Sequence, residues 1–292
     1  GPFNFVTFGG DLYFAADNGA NNALYSWDGT DFDEISGGGD PTPIGAYELI
    51  VYDSKVFFVG GNGTDDVLYS WDGTDFDEIT GGDSAPSDPY DLFLHDGMLF
   101  FAGTDGGGAV LYSWDGTGFE EVVGGGDLEP LEVRNFVTYN GELYFAGDDG
   151  SDFYLYSYDG IDFTKIVGGP GSAPSPDDPQ EFIVYNGVLY FNADGALNDR
   201  LYSWDGSIFT LYTAPPFDII DPFIYSGVLY FQGEDLEDEG TESIWSLRAA
   251  AVPVLAETGL ETVIPLGLAG AILLAGAGLL LVARRSGAKQ AS

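Results

Sequence analysis

Leu24-Tyr25-Ser26-Trp27-Asp28-Gly29-Thr30-Asp31-Phe32-Asp33-Glu34-Ile35 reads as a strand, an Asp-Gly turn and a second strand. Asp-Gly tolerates the positive φ angles of a type I′ turn, whose twist matches that of the strands it joins, so a two-residue hairpin turn is predicted. The hairpin recurs at Leu68-Tyr69-Ser70-Trp71-Asp72-Gly73, Leu111 to Gly116, Leu155-Tyr156-Ser157-Tyr158-Asp159-Gly160 and Leu201 to Gly206. A degenerate sixth copy, Ile244-Trp245-Ser246-Leu247, lacks the turn. The copies start at 24, 68, 111, 155, 201 and 244, so the spacing stays between 43 and 46 residues. A repeat of that length, built of short strands, predicts radially stacked sheets: an all-β propeller.

A further hairpin precedes each of these. In the first repeat it runs from Asn4 to Phe8, turns at Gly9-Gly10 and returns from Asp11 to Ala15; its counterparts turn at Asp53-Ser54, Asp96-Gly97, Asn140-Gly141, Asn186-Gly187 and Ser226-Gly227. Each repeat therefore holds four strands, a to d, and the repeats fall near 4–47, 48–90, 91–134, 135–180, 181–221 and 222–248, the last incomplete. Strands a and b are near-continuous apolar runs, such as Val188-Leu189-Tyr190-Phe191. A sheet covered on both faces needs that pattern. Strand d is punctuated by Asp31, Asp33 and Glu34 and is expected to be a bulged, charged outer edge, which discourages edge-to-edge pairing. Phe32 and Ile35 fall on its opposite faces.

In an up-and-down sheet the a–b and c–d turns share one side, and the b–c and d–a loops share the other. The b–c loops vary: Asp17 to Asn22, Asn62 to Asp66, Asp105 to Gly108, Asp148 to Asp152 and Glu234 to Glu239. The d–a linkers are Gly/Pro-rich, as in Gly169 to Pro176. Recognition is expected on that acidic, variable face. Propellers often close with a strand from the N-terminus, and only Gly1-Pro2-Phe3 precede the first strand a, so residues upstream are expected to supply closure. The pattern over roughly 4–248 resembles kelch-like bacterial propeller repeats, a likeness that implies architecture and no particular activity.

Eight Lys and Arg face 48 Asp and Glu in 292 residues, a formal charge of −40. Such a field repels nucleic acid, which is excluded as a partner. The charge suits a soluble surface adapted to salt or to the cell exterior. The chain has no Cys, which excludes disulfides, Cys-zinc sites and thiol catalysis.

After Arg248 the composition changes. Residues 249–254 form a small-residue linker, Leu255-Ala256-Glu257-Thr258-Gly259 follows, and 263–282 is free of charge. Twenty residues make a helix of about 30 Å, the thickness of a bilayer core, so one transmembrane helix is predicted. Arg284, Arg285 and Lys289 in the 283–292 tail orient it to the cytoplasm, with the propeller outside. The three-part tail resembles the LPXTG-type cell-wall sorting signal of Gram-positive surface proteins, in the variant with Ala at its second position that is associated with class E sortases. That resemblance implies cleavage between Thr258 and Gly259 and transfer of Thr258 to an amine of the peptidoglycan precursor, with a signal peptide upstream. An ordinary single-pass anchor is the plainer alternative.

His95, the only histidine, ends a strand a where other copies carry Phe8, Tyr52, Tyr139, Tyr185 and Tyr225, which makes it a packing substitute rather than a general base. No nucleophile elbow, His-Glu-x-x-His or P-loop is present. Calcium is conceivable as a ligand of Asp65, Asp66, Asp148, Asp149 and Asp152, although no loop has EF-hand spacing and solvated turn tips explain the same residues. Trp27, Trp71, Trp114 and Trp204 read as blade packing. The chain is thus expected to be a non-catalytic surface display or adhesion module that meets an extracellular protein or glycan. The alternatives are a propeller hydrolase or lyase acting on polysaccharide, and a membrane-anchored calcium-binding protein.

Overall fold

The structure is a computed structural model, and it describes residues 1–39, 42–81, 85–104, 106–125, 129–194, 199–213, 217–234, 242–248 and 280–281. Among these every regular element is a β-strand. The a strands are Phe3–Phe8, Ile44–Tyr52, Ser87–His95, Leu131–Tyr139, Asp177–Tyr185 and Phe217–Tyr225. Each pairs antiparallel with a seven-residue b strand, which pairs with c. In the first five repeats c pairs with a short d, as Trp27 opposite Phe32 and Trp71 opposite Phe76. In the sixth, the strand beside c is Leu280–Leu281, with Leu247 opposite Leu281. Those two residues fall inside the predicted transmembrane helix; the rest of 263–282 lies outside the described residues, as do the linker, the sorting motif and the basic tail. No helix among the described residues is long and apolar enough to cross a membrane.

Consecutive sheets touch through their a strands, so a is innermost and d outermost. The core is correspondingly divided into five clusters, one per seam. Tyr13, Ala15 and Leu24 of the first blade meet Val56, Phe58, Tyr69, Trp71 and Phe76 of the second. The remaining four seams repeat this scheme. Period-two alternation explains it: successive residues of b point to opposite seams, so Phe57 packs on the third blade while Phe58 packs on the first. Burying each such ring stabilises by about 1.5–3 kcal/mol. In the second to fourth blades Ile79, Val122 and Ile166 lie on the seam opposite to Phe76, Phe119 and Phe163, as expected for strand d.

The turns differ between the two hairpins. Both central residues of the a–b turns have positive φ, for example Asn140 at 52° and Gly141 at 87°, the type I′ geometry. The c–d turn departs from the two-residue reading. With Trp27 opposite Phe32, four residues connect the strands, and of these only Gly29 has positive φ. Asp28 closes the loop, its Oδ1 accepting from Thr30 N at 2.8 Å, Thr30 Oγ1 at 2.7 Å and Asp31 N at 2.9 Å. An aspartate that can satisfy three donors makes this Asx-capped loop competitive with the tight turn. The bulge expected in d is also absent: the d ladders run in register. The register shifts sit in the a strands instead.

Candidate functional site

The bulges create a set of positions that face the axis. Asn4, Glu48, Asp91, Asn135, Glu181 and Asp221 are equivalent residues of the six a strands, and all have φ between 50° and 59°. A positive φ turns the backbone N–H away from its own ladder. The side chain of the preceding blade then accepts it. Asn4 Oδ1 lies 3.2 Å from Glu48 N, and Asp91 Oδ2 lies 2.8 Å from Asn135 N. The Glu48 carboxylate takes the backbone N–H groups of Asp91 and Leu92, and Glu181 takes that of Asp221. Blade is thus linked to blade around the axis by side chain-to-backbone bonds.

These inner acids are electrostatically loaded. Burial, then the neighbouring Asp91 charge, raises the Glu48 carboxyl above its ordinary range. Burial raises Asp91 too, against the opposing pull of Asn135 N–H and Arg134. Glu181 is raised by burial and by Asp221. One cation sits among them: Arg134 bonds Asp178 of the next blade and lies over the Phe153 ring, 3.8 Å from its centroid. Sequence reading passed over this ring, although a polar residue breaking each apolar strand a at nearly constant spacing was a signal for it.

On the b–c face the aspartates singled out as calcium ligands are dispersed. Asp65 N donates to Asn62 Oδ1 at 3.1 Å, and Asp66 Oδ2 accepts from Tyr47 OH at 2.8 Å. Asp148 Oδ1 accepts from Gly150 N at 2.7 Å. Asp149 Oδ1 caps Ser151, while its Oδ2 takes the Lys165 ammonium at 2.7 Å. Those bonds, that to Lys165 first, hold the Asp149 carboxyl well below the usual carboxylate range. Asp152 supplies its carbonyl to Asp149 N at 3.2 Å. Turn capping thus occupies these groups locally, and they form no cluster of three metal-ligating side chains among the described residues. A shallow cleft of about 440 Å³ opens between the first and second blades, lined by Asp17, Asn21, Asn22, Ile44, Tyr47 and Asp66. His95 is buried, with Nδ1 2.9 Å from Thr138 Oγ1 of the next blade. Trp71, Trp114 and Trp204 pack in the seams. Leu255, Ala256, Glu257, Thr258, Gly259, Arg284, Arg285 and Lys289 lie outside the described residues.

Solved structures share this arrangement. The propeller domain of the Trilobed protease from Pyrococcus furiosus, described as having an open velcro topology, aligns with a TM-score of 0.55 over 82% of this chain and 75% of its own, at 14% identity. The fold is a β-propeller. The extracellular domain of a two-component system of B. thetaiotaomicron aligns with a TM-score of 0.56 at 12% identity, over 84% of this chain and 31% of its own. An acylaminoacyl peptidase of Pyrococcus horikoshii gives 0.54 at 12% identity, over 84% and 43%. Peptidase propellers are therefore among the structural neighbours, and at these identities the likeness concerns the propeller alone. No protein-family model and no curated protein sequence matches the chain.

Proposed function

We propose that this propeller is a non-catalytic surface module, carried on the Gram-positive cell wall through Thr258 and recognising an extracellular protein or glycan with its b–c face. The observation that carries the reading is the division of the two faces. One side repeats the same Asx-capped c–d loop at Asp28, Asp72, Asp115, Asp159 and Asp205. The opposite side holds the variable loops and the cleft between the first two blades. A constant side and a variable side separate rigidity from recognition.

The tail supports the address. In the sorting reaction the Thr258–Gly259 amide breaks, the Thr258 carbonyl forms a new amide with a peptidoglycan-precursor amine, and the Gly259 amine leaves with the apolar segment. Expression of the full chain in a sortase-bearing Gram-positive host tests this. Muralytic release and mass spectrometry are expected to find Thr258 joined to a wall fragment, with Thr258→Ala retained in membranes. Full detergent extraction of the unsubstituted protein would refute wall attachment. A glycan and protein array probed with the propeller, and with Asn22→Arg and Asp66→Arg variants, tests the face. Binding that survives both changes would place recognition elsewhere.

A further inference from the structure

The second residue of strand a in the second to fifth blades has positive φ and lies at the b–c end of the seam with the blade before. It is Asp88, Glu132 and Asp178 in the third to fifth blades, at φ between 47° and 50°. In the fourth blade Glu132 fills the seam: its Oε1 accepts from Ala109 N of the preceding b–c loop at 3.4 Å, and its own N–H donates to the Ala109 carbonyl at 2.6 Å. In the fifth, Asp178 accepts from Arg134 of the fourth blade and from Gln180 Nε2 at 2.9 Å. The second blade has Gly45 there, at φ 77°, and a Cβ placed on it would meet no atom within 4 Å. The cleft of about 440 Å³ between the first and second blades is therefore open where later seams carry a carboxylate.

The hydrogen-bonding groups around that opening are unspent. The side-chain amides of Asn21 and Asn22 make no hydrogen bond to the protein. Asp17 uses Oδ1 for Gly19 N at 2.7 Å and Asp66 uses Oδ2 for Tyr47 OH at 2.8 Å, which leaves the other oxygen of each. Neighbouring amides are engaged instead: Asn18 bonds Glu34 at 2.8 Å and Asn62 bonds Glu78 at 3.2 Å. Ile44, beside the free amides, is 51% exposed. Asn21, Asn22, Ile44 and Gly45 also line a smaller hollow of about 110 Å³, which extends the cleft toward Glu34 and Ile35.

We propose that this cleft binds a neutral, hydroxyl-rich saccharide, held by Asn21, Asn22, Asp17 and Asp66 with Ile44 against a ring face. The inference rests on the proposed recognition by the b–c face and narrows it to one seam and one ligand class. The inventory of donors and acceptors selects that class. Amides donate and accept while carboxylates accept, so the site needs a partner with both kinds of group, and a hydroxyl supplies both on one atom. An anion would meet Asp17 and Asp66 within a chain of formal charge −40. An ammonium or guanidinium donates only and leaves the two amide NH2 groups unanswered. A bound peptide uses a free strand edge or an apolar anchor pocket, and the only aliphatic side chains lining this cleft are Ala20 and Ile44.

The test measures binding of the full chain to immobilised neutral polysaccharides (glucan, mannan and galactan), with polygalacturonate and poly-lysine beside them. At least one neutral polymer is expected to bind, with an affinity that holds within about twofold between about 0.1 and 0.5 M NaCl. Polygalacturonate is expected not to bind, and any retention on poly-lysine to fall with salt. Gly45→Glu, which copies Glu132, is expected to weaken neutral-polymer binding by about tenfold or more, and Asn22→Ala by about fivefold to tenfold. Both variants are expected to keep the thermal midpoint within about 5 °C, because Glu132 already holds a positive φ at the equivalent position and the Asn22 amide bonds nothing in the protein. Neutral-polymer binding that survives both changes overturns the proposal. If Asp152→Arg, in the b–c loop of the fourth blade, abolishes it instead, recognition by that face stands and the cleft alone is refuted. Retention of poly-lysine alone, or of no polymer, overturns the saccharide assignment, while the protein array still decides whether the b–c face recognises a protein.

Discussion

Tyr185 of the fifth blade donates its hydroxyl to the Gly227 carbonyl of the sixth, 3.0 Å away across the seam. The ring of the tyrosine is buried in the core of that seam, so one side chain both packs and bonds between blades. Tyr185→Phe keeps the packing and removes the bond. It is expected to cost about 1 kcal/mol in urea unfolding, while Tyr225→Phe, at the exposed counterpart, stays within about 0.5 kcal/mol. Equal effects at both positions would show that the seam bond contributes nothing.

Phe32 and Phe76 offer a matched pair for the seams. Phe76→Ala opens a cavity against Phe58 and Trp71, and a loss of about 3–5 kcal/mol is expected. Phe32→Ala removes a mostly exposed ring and is expected to cost under about 1 kcal/mol. Midpoints of chemical denaturation measured side by side decide between seam packing and local hairpin propensity.

Glu48 and Asp91 make the axis pH-sensitive. Their raised carboxyls mean that the folded chain binds more protons than the unfolded chain at pH values from their ordinary pKa up to the raised one. Stability therefore falls as pH rises through that window and is recovered on acidification. Glu48→Gln keeps an acceptor for the Asp91 and Leu92 N–H groups without the charge. It is expected to raise the thermal midpoint at pH 7, with the gain shrinking to nothing below the ordinary glutamate pKa. A constant gain across pH would rule out the charge as its origin.

Asp72 behaves in the opposite sense. Its bonds from Asp75 N, Thr74 Oγ1 and Thr74 N hold its carboxyl down at about 2. The stabilisation is complete above the ordinary aspartate pKa and disappears as pH falls through about 2. Asp72→Ala is expected to lower the midpoint at pH 7 and to lose that deficit progressively in acid. Asp72→Asn, which keeps the acceptor, is expected to fall between the two.

Much of the architecture was legible because hairpin chemistry is local. The near-constant period, the two apolar faces of b and the positive-φ pairs at Asp96-Gly97 or Asn186-Gly187 all reside within a few residues. The c–d loop was misread for the same reason: Asp-Gly alone suits a type I′ turn, and only the pairing of Trp27 with Phe32 exposes four loop residues. The acidic loop tips suggested cation ligands, yet Asp149 is engaged by Ser151 and Lys165, the latter from strand d. The links from Asn4 to Glu48 and from Asp91 to Asn135 join residues 44 apart, which strand patterning does not pair.

The sequence by itself determined that the chain repeats a four-stranded unit whose sheets need cover on both sides. The apolar alternation and the turn residues carry that information within each copy. Only the tertiary structure decided which copies receive that cover. Trp-Asp-Gly-Thr-Asp-Phe-Asp-Glu-Ile occurs identically at 27–35 and at 71–79, yet Phe32 lies in solvent and Phe76 in a core. Burial at these rings depends on a neighbouring blade, and that neighbour lies a whole repeat away along the chain.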